Sequence, residues 1–242
     1  MSKDDRTPVA GKKPLTPTSA RADIEAFLEK ARALSAAKPP SSGRHGRLVF
    51  ALDATMSRQP TWDIACSIQA EMFTEAAATG GLDIQLVYFR GIGECRSSRF
   101  VSDARELGPL MERINCHGGH TQIGRVLSHT RRENEAEKVH ALVFVGDAME
   151  EKLDDLCAAA GELGLLGVPA FLFQEGDDPV AEQAFREMAR LSNGAYCKFS
   201  PGAAHELAEL LRAVAAYAAG GLKALENARR GSAAAKLLAQ MK

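Results

Sequence analysis

The sequence predicts an α/β protein, organised as a three-layer, doubly wound sandwich around a six-stranded sheet. Two apolar runs, residues 48–52 and 141–145, contain no alternating polar residues, which is typical of parallel strands buried on both faces. Segments with apolar residues at helical spacing lie between most of the strands, and this alternation predicts five parallel strands covered by helices. The turn at residues 90–93 leaves no room for a helix, so the strand after it is expected to run antiparallel at an edge.

The other elements are assigned in chain order from the same patterns. The helix after the first strand, residues 59–79, carries Ile64, Ile68 and Met72 on one face and ends at two consecutive glycines. The predicted strands are residues 48–52, 83–89, 94–101, 141–145, 168–173 and 195–199. The later predicted helices are residues 103–115, 123–137, 150–166 and 180–192, and a last helix that follows Pro201-Gly202 and ends near Gly220-Gly221.

Acidic residues mark two of these helix starts. Asp178 stands before Pro179, which favours the first position of a helix, so Asp178 is expected to cap it. Glu150 and Glu151 are expected in the first turn of the preceding helix, where the helix dipole favours negative charge.

Composition divides the chain into three parts. Residues 1–43 are expected to hold a disordered tail, an amphipathic helix at 20–37 and a linker rich in Pro and Ser. Residues 44–221 are expected to form the α/β domain, and the Ala- and Lys-rich residues 222–242 a C-terminal helical or mobile tail. Two alternatives stay open for the N-terminal helix, which either packs on the domain or docks a partner.

Charge and hydropathy exclude several function classes. The formal net charge is −1, so no global field favours nucleic acid or an anionic membrane. The N-terminus has no apolar signal region, and no run of about 18 apolar residues occurs, so neither secretion nor membrane insertion is expected. The five cysteines form no CxxC pair, which favours a reducing cytoplasm.

Polar side chains follow two of the predicted strands. Asp53, Thr55 and Ser57 come directly after the first strand, and Asp147 follows the fourth. Ligands bind in the crevice at the carboxyl ends of parallel strands, so these groups are expected to converge there. Carboxylate and hydroxyl oxygens suit a hard cation such as Mg²⁺. Taken singly, each residue has a simpler interpretation, because hydroxyls cap helices and Asp often ends a strand in a turn.

The set resembles the metal-ion-dependent adhesion site (MIDAS) of von Willebrand factor A (VWA) domains. The family's Asp-x-Ser-x-Ser element is matched by Asp53, Thr55 and Ser57, with Thr in place of the first Ser. Its loop Thr is matched by Thr121 in residues 118–124, GGHTQIG, and its last Asp by Asp147. The resemblance covers roughly residues 47–219.

The resemblance implies a metal-dependent protein-binding module and no catalytic residue. Thr55, Ser57 and Thr121 would contact Mg²⁺, or Mn²⁺ or Ca²⁺, directly, while Asp53 and Asp147 would act at least partly through water. A partner protein would supply a Glu or Asp to the cation, and Glu150 is a candidate for an additional contact through water. The absence of signals and the Gly-Asp-x-Met-Glu variant resemble intracellular bacterial members, which often work beside ATPases.

Several other kinds of site do not fit the residues. A Walker loop, a dinucleotide fingerprint and a GxSxG elbow do not occur, and no base accompanies the candidate metal site. A zinc site at Cys116, His117 and His120 lacks a fourth ligand. Two alternatives stay open beside the binding module. They are a Mg²⁺-dependent, phosphatase-like hydrolase that uses Asp53, and a scaffold whose site is empty.

Overall fold

The fold consists of one six-stranded sheet with helices on both faces, seen in a computed structural model. The structure describes residues 46–58, 81–103, 106–200, 204–228 and 232–241, all within the compact unit Lys38–Lys242. The predicted N-terminal tail and helix, and the helix predicted at 59–79, lie outside the described residues.

The sheet has the topology that the sequence predicts. Its strand order is β3-β2-β1-β4-β5-β6, and every neighbouring pair is parallel except β2 and β3, which are antiparallel. The antiparallel β3 therefore lies at one edge. The strands are β1 (Gly46–Asp53), β2 (Leu82–Arg90), β3 (Glu94–Val101), β4 (Ala141–Gly146), β5 (Ala170–Glu175) and β6 (Ala195–Phe199).

Helices cover the two faces of this sheet. The described helices are α1 (Leu107–Glu112), α2 (Ile123–Ala136), α3 (Leu153–Leu165), α4 (Pro179–Leu191), α5 (Ala204–Asn227) and α6 (Ser232–Leu238). Helices α1, α5 and α6 pack on one face and α2, α3 and α4 on the other. Successive residues of β1 enter alternate cores, with Phe50 on the first face and Val49 on the second, which explains why this strand is apolar throughout. Among the described residues, no helix has the length and apolar character needed to cross a membrane.

Two predicted helices are shorter in the structure. Helix α1 has six residues instead of the thirteen of residues 103–115, because the chain beyond it runs beside the segment that follows β1, where His117 pairs with Thr55. Helix α3 begins at Leu153, so Glu150 and Glu151 precede it, and Asp154 and Asp155 occupy its first turn.

Strand β5 begins and ends two residues later than predicted. Gln174 and Glu175 were assigned to an acidic loop, but both are buried at the end of the strand. The Gln174 side chain is satisfied there, since it accepts a hydrogen bond from the Tyr196 hydroxyl and donates one to the Asp178 carbonyl. A polar residue with partners is tolerated in a buried strand.

Helix termini elsewhere agree with the sequence. The Asp178 carboxylate accepts hydrogen bonds from the amides of Val180 and Ala181, so it caps α4 as predicted. The helical conformation of α5 is broken at Gly221, whose φ is +68°, where the paired glycines predicted an end.

Candidate metal-binding site

The chain that leaves β1 forms a tight turn around the Asp53 carboxylate. Asp53 is fully buried, and its Oδ1 accepts a hydrogen bond of 2.8 Å from the Thr55 amide. The hydroxyl oxygens of Thr55 and Ser57 lie 3.1 Å apart. A carboxylate and two hydroxyls are therefore gathered within five residues, as the Asp-x-Thr-x-Ser spacing predicts.

The loop that contains Thr121 is clamped between β1 and the turn from β2 to β3. The His117 amide donates to the Ala54 carbonyl at 3.1 Å, and the His120 amide donates to the Gly91 carbonyl at 3.2 Å. Gly119 lies so close to Gly91 that an added Cβ would be 2.1 Å from its carbonyl oxygen. Thr121 itself is buried, at 6% exposure. Glycine at residue 119 is thus required by a close backbone approach.

The segment after β4 holds Thr121 in place. The Glu150 amide donates to the Thr121 hydroxyl oxygen at 3.1 Å, and the Glu150 carboxylate accepts from the Thr121 amide at 3.2 Å. The same carboxylate oxygen lies 3.0 Å from Nδ1 of His120. The bond from the Glu150 amide uses one lone pair of the Thr121 hydroxyl oxygen and leaves the other lone pair available.

Sheet register brings Asp147 to the end of β1. Leu52 of β1 pairs with Val145 of β4, so Asp53 and Gly146 leave the sheet side by side. A Cβ added at Gly146 would lie 3.6 Å from the Cβ of Asp53. Asp147 follows directly, and its Oδ1 is buried with no hydrogen-bond partner in the part of the chain that the structure describes.

The residues predicted for the metal therefore all lie at the carboxyl edge of the central strands β1 and β4. They form two directly bonded groups, which are Asp53 with Thr55 and Ser57, and Thr121 with Glu150, while Asp147 lies next to Asp53 along the edge. Within the described ranges, no group of three or more His, Cys, Asp and Glu side chains is placed to hold a metal ion. This gives no support to a zinc site at Cys116.

One residue near the site has a role that sequence reasoning missed. The Glu151 carboxylate accepts hydrogen bonds from the amides of Ile123 and Gly124, the first two residues of α2. It therefore caps α2, although the sequence placed it in the first turn of α3. No local pattern indicates this contact, because residues 28 positions apart make it.

Comparison with solved structures identifies the fold. A von Willebrand factor type A structure from Catenulispora acidiphila aligns with 72% of this chain at a TM-score of 0.58 and 19% identity. The chain has the VWA fold. An aerotolerance-related membrane protein from Bacteroides fragilis aligns with 69% of it at a TM-score of 0.55 and 17% identity, over 96% of its own chain.

A third similar structure contains a metal. Proximal thread matrix protein 1 from the mussel byssus, solved with a zinc-occupied MIDAS motif, aligns with 71% of this chain at a TM-score of 0.58 and 14% identity. The present chain spans 42% of the Catenulispora protein and 46% of the mussel protein. No protein-family model matches the sequence, and no curated protein matches it significantly.

Proposed function

We propose that this VWA-like chain is a non-catalytic, metal-dependent protein-binding module. A divalent cation held by Asp53, Thr55, Ser57, Thr121 and Asp147 would bridge to a Glu or Asp of a partner protein. The observation that carries the proposal is the Oδ1 atom of Asp147, which is buried beside the end of β1 and accepts no hydrogen bond from the described residues.

A buried carboxylate oxygen without a partner is costly, and a bound cation removes that cost. The neighbouring side chains fit such an ion, because carboxylate and hydroxyl oxygens are the ligands that Mg²⁺, Mn²⁺ and Ca²⁺ prefer. Two carboxylates and three neutral hydroxyls leave a bound divalent ion electrophilic towards an outside carboxylate. The Glu150 amide and carboxylate orient Thr121, which is the supporting role proposed for that residue.

The rim of the site favours a protein as the partner. Met56, between the candidate ligands, is 55% exposed, and Ile92, in the turn that holds the Thr121 loop, is 88% exposed. Single exposed apolar residues are ordinary, but two of them beside polar ligands suit a partner that presents an acidic residue among apolar ones.

We propose a bacterial cytoplasmic location and membership of an assembly that contains an ATPase. The four described cysteines, Cys95, Cys116, Cys157 and Cys197, are free thiols, as is usual in a reducing compartment. The resemblance of the sequence to intracellular bacterial VWA proteins supports the assembly.

Thermal unfolding with added Mg²⁺, Mn²⁺ or Ca²⁺ tests the metal site. A cation at 100 times its dissociation constant adds about 2.7 kcal/mol to the free energy of unfolding, and EDTA removes this gain. The variant Asp147→Asn should lose most of the stabilisation. Asp177→Asn is the matched control, because Asp177 lies after β5 at the same sheet edge, is exposed and is outside the proposed ligand set. If no divalent cation stabilises the wild type, the scaffold with an empty site becomes the better interpretation.

Affinity capture tests the partner. The wild type and Asp177→Asn should retain a partner in Mg²⁺ that Asp53→Ala and EDTA both release. Recovery of the same proteins by Asp53→Ala contradicts bridging by a cation. Hydrolysis of a generic phosphoester by the wild type, abolished in Asp53→Asn, would overturn the non-catalytic assignment.

A further inference from the structure

A cleft of about 530 Å³ lies between the edge strand β3 and helix α2, and the proposed metal ligands do not line it. Its volume falls within the range of about 300–1,000 Å³ that is usual for small-ligand sites. Most of its lining residues are polar, whereas such sites are mostly lined by apolar residues.

Three guanidinium groups line this arginine cleft. Arg125 and Arg132 are seven residues apart on α2, which places them on one side of the helix, and Arg96 comes from β3. The hydroxyl groups of Ser97 and Ser128 add two neutral hydrogen-bond donors to the same walls.

The positive charge of the cleft is largely unbalanced. No carboxylate of the described residues lies within ion-pair distance of Arg125 or Arg132, and Arg96 has only a 3.7 Å contact with Glu94. Arg125 donates instead to neutral oxygens, the Gly93 carbonyl and the side-chain carbonyl of Gln122.

One carboxylate on the walls, Glu151, offsets part of this charge while it accepts hydrogen bonds from the amides at the start of α2. Three guanidinium groups against one carboxylate still leave the cleft positive. Burial lowers the pKa of His129, whose Nε2 lies 2.8 Å from the Gln85 side-chain oxygen, so His129 is neutral at pH 7.

The thiol of Cys95 also lies on the wall of the cleft. Arg125 and Arg132 act to lower the pKa of Cys95, and Glu151 acts to raise it. Burial is the largest influence and raises the pKa of Cys95, which keeps the thiol protonated. Cys95 therefore adds no negative charge against the arginines.

We propose that the arginine cleft binds a phosphate group, carried either by a small metabolite or by a phosphorylated side chain. The planar guanidinium group matches phosphate oxygens with two parallel hydrogen bonds, and a doubly charged oxyanion uses several such groups at once. The proposal does not depend on the metal site, since none of the five proposed metal ligands lines the cleft.

Titration calorimetry with inorganic phosphate tests the cleft, in EDTA and at an ionic strength held constant with NaCl. Arg132→Gln should weaken binding about tenfold or more, the usual effect of losing a hydrogen bond to a charged group. Arg131→Gln is the matched control, because Arg131 neighbours Arg132 on α2, does not line the cleft and is paired with Glu135 at 2.8 Å. Equal affinity in both variants overturns the proposal. The absence of phosphate binding by the wild type at about 10 mM, which corresponds to the weakest affinity of interest, also overturns it.

Two further titrations identify the source of the phosphate. A phosphoserine peptide compared with its unphosphorylated form, and a sugar monophosphate compared with the free sugar, are titrated into the wild type. The phosphorylated ligand that binds more tightly than inorganic phosphate identifies the source. Arg132→Gln should weaken the binding of that ligand by the same factor as the binding of inorganic phosphate. Phosphate should bind equally well in EDTA and in Mg²⁺, and binding that requires Mg²⁺ would overturn the proposed independence from the metal site.

Discussion

At the level of single residues, the contact between His140 and Arg47 fastens the chain before β4 to the start of β1. The Arg47 amide donates to Nδ1 of His140 at 3.0 Å, and the His140 amide donates to the Arg47 carbonyl at 2.8 Å. Nδ1 must therefore be unprotonated. Burial, with smaller contributions from Lys138 and Arg47, lowers the pKa of His140, and Glu137 opposes this change.

This contact predicts a loss of stability in mild acid. The folded pKa of His140 lies below its ordinary value of 6.5, so the unfolded chain binds the proton more readily. The free energy of unfolding should thus be constant above about pH 7 and fall as the pH drops below about 6.5. One such proton contributes at most about 1.4 kcal/mol per pH unit. His140→Asn, whose side-chain oxygen replaces Nδ1 as the acceptor, should show a shallower fall in urea denaturation between pH 7 and 5.

His129 titrates in the same direction, because burial also lowers its pKa. The His140→Asn variant should therefore reduce the acid sensitivity without abolishing it. An unchanged pH dependence in this variant would contradict the assignment to His140.

The recognition of single residues from sequence depended on how local their contacts are. Asp178 was predicted as a cap because its carboxylate accepts from amides two and three residues ahead. Glu151 was misplaced because its partners are on another helix. Thr121 was found only through the order of a known motif, since nothing in its own loop indicates the contact with Glu150.

At the level of elements, the turn between β2 and β3 positions the loop at residues 117–122. Nε2 of Gln122 donates to the carbonyls of Arg90 and Gly91 at 3.2 and 3.3 Å, and the His120 amide donates to Gly91. Any change in the distance between this turn and the loop would therefore move Thr121.

Two adjacent glycines allow this coupling to be tested. In Gly119→Ala the new Cβ would meet the Gly91 backbone, which cannot move without the strands, so the variant should lose about 1–3 kcal/mol of stability. It should also bind divalent cations more weakly than the wild type. Gly118→Ala is the control, because an added Cβ meets nothing within 4 Å. Urea denaturation with and without Mg²⁺ measures both effects, and equal behaviour of the two variants would contradict the clamp.

The strand boundaries show which ends of strands the sequence patterns can and cannot predict. Strands β1, β2, β3, β4 and β6 end within one residue of the predicted positions, because their apolar runs or turns are bounded by polar residues or glycine. The predicted β5 ended two residues too early, because Gln174 and Glu175 look like loop residues. Their burial depends on Tyr196 and on pairing with β6, which are contacts between strands.

At the level of the whole molecule, the C-terminal helix α6 completes one of the two cores. Ala233, Ala234 and Leu237 are buried with residues of β6 and α5. Beyond the helix, the Gln240 side chain accepts from the Tyr196 amide and donates to its carbonyl, both at 2.9 Å. Gln240 thereby satisfies backbone groups at the outer edge of β6, which has no neighbouring strand in the described sheet.

Shortening the side chain of Leu237 should therefore destabilise the whole domain. Leu237→Ala removes a fully buried side chain and is expected to cost about 2–5 kcal/mol in one cooperative unfolding transition. Leu222→Ala, at a leucine that is 45% exposed, should change the stability by less than about 0.5 kcal/mol. Calorimetric unfolding compares the two. Near-equal values would mean that the C-terminal segment is the mobile tail that its composition allows.

The sequence by itself determined the strand order along the chain, the antiparallel edge and the polar groups at the ends of β1 and β4. These features depend on apolar runs, helical spacing and turns, which are properties of neighbouring residues. Only the tertiary structure decided that Glu151 caps α2, that Gln174 is buried, that Asp147 has a buried oxygen beside Asp53, and that three arginines share a cleft. Such contacts join residues far apart in the chain, so their energies depend on packing between elements and leave no local pattern.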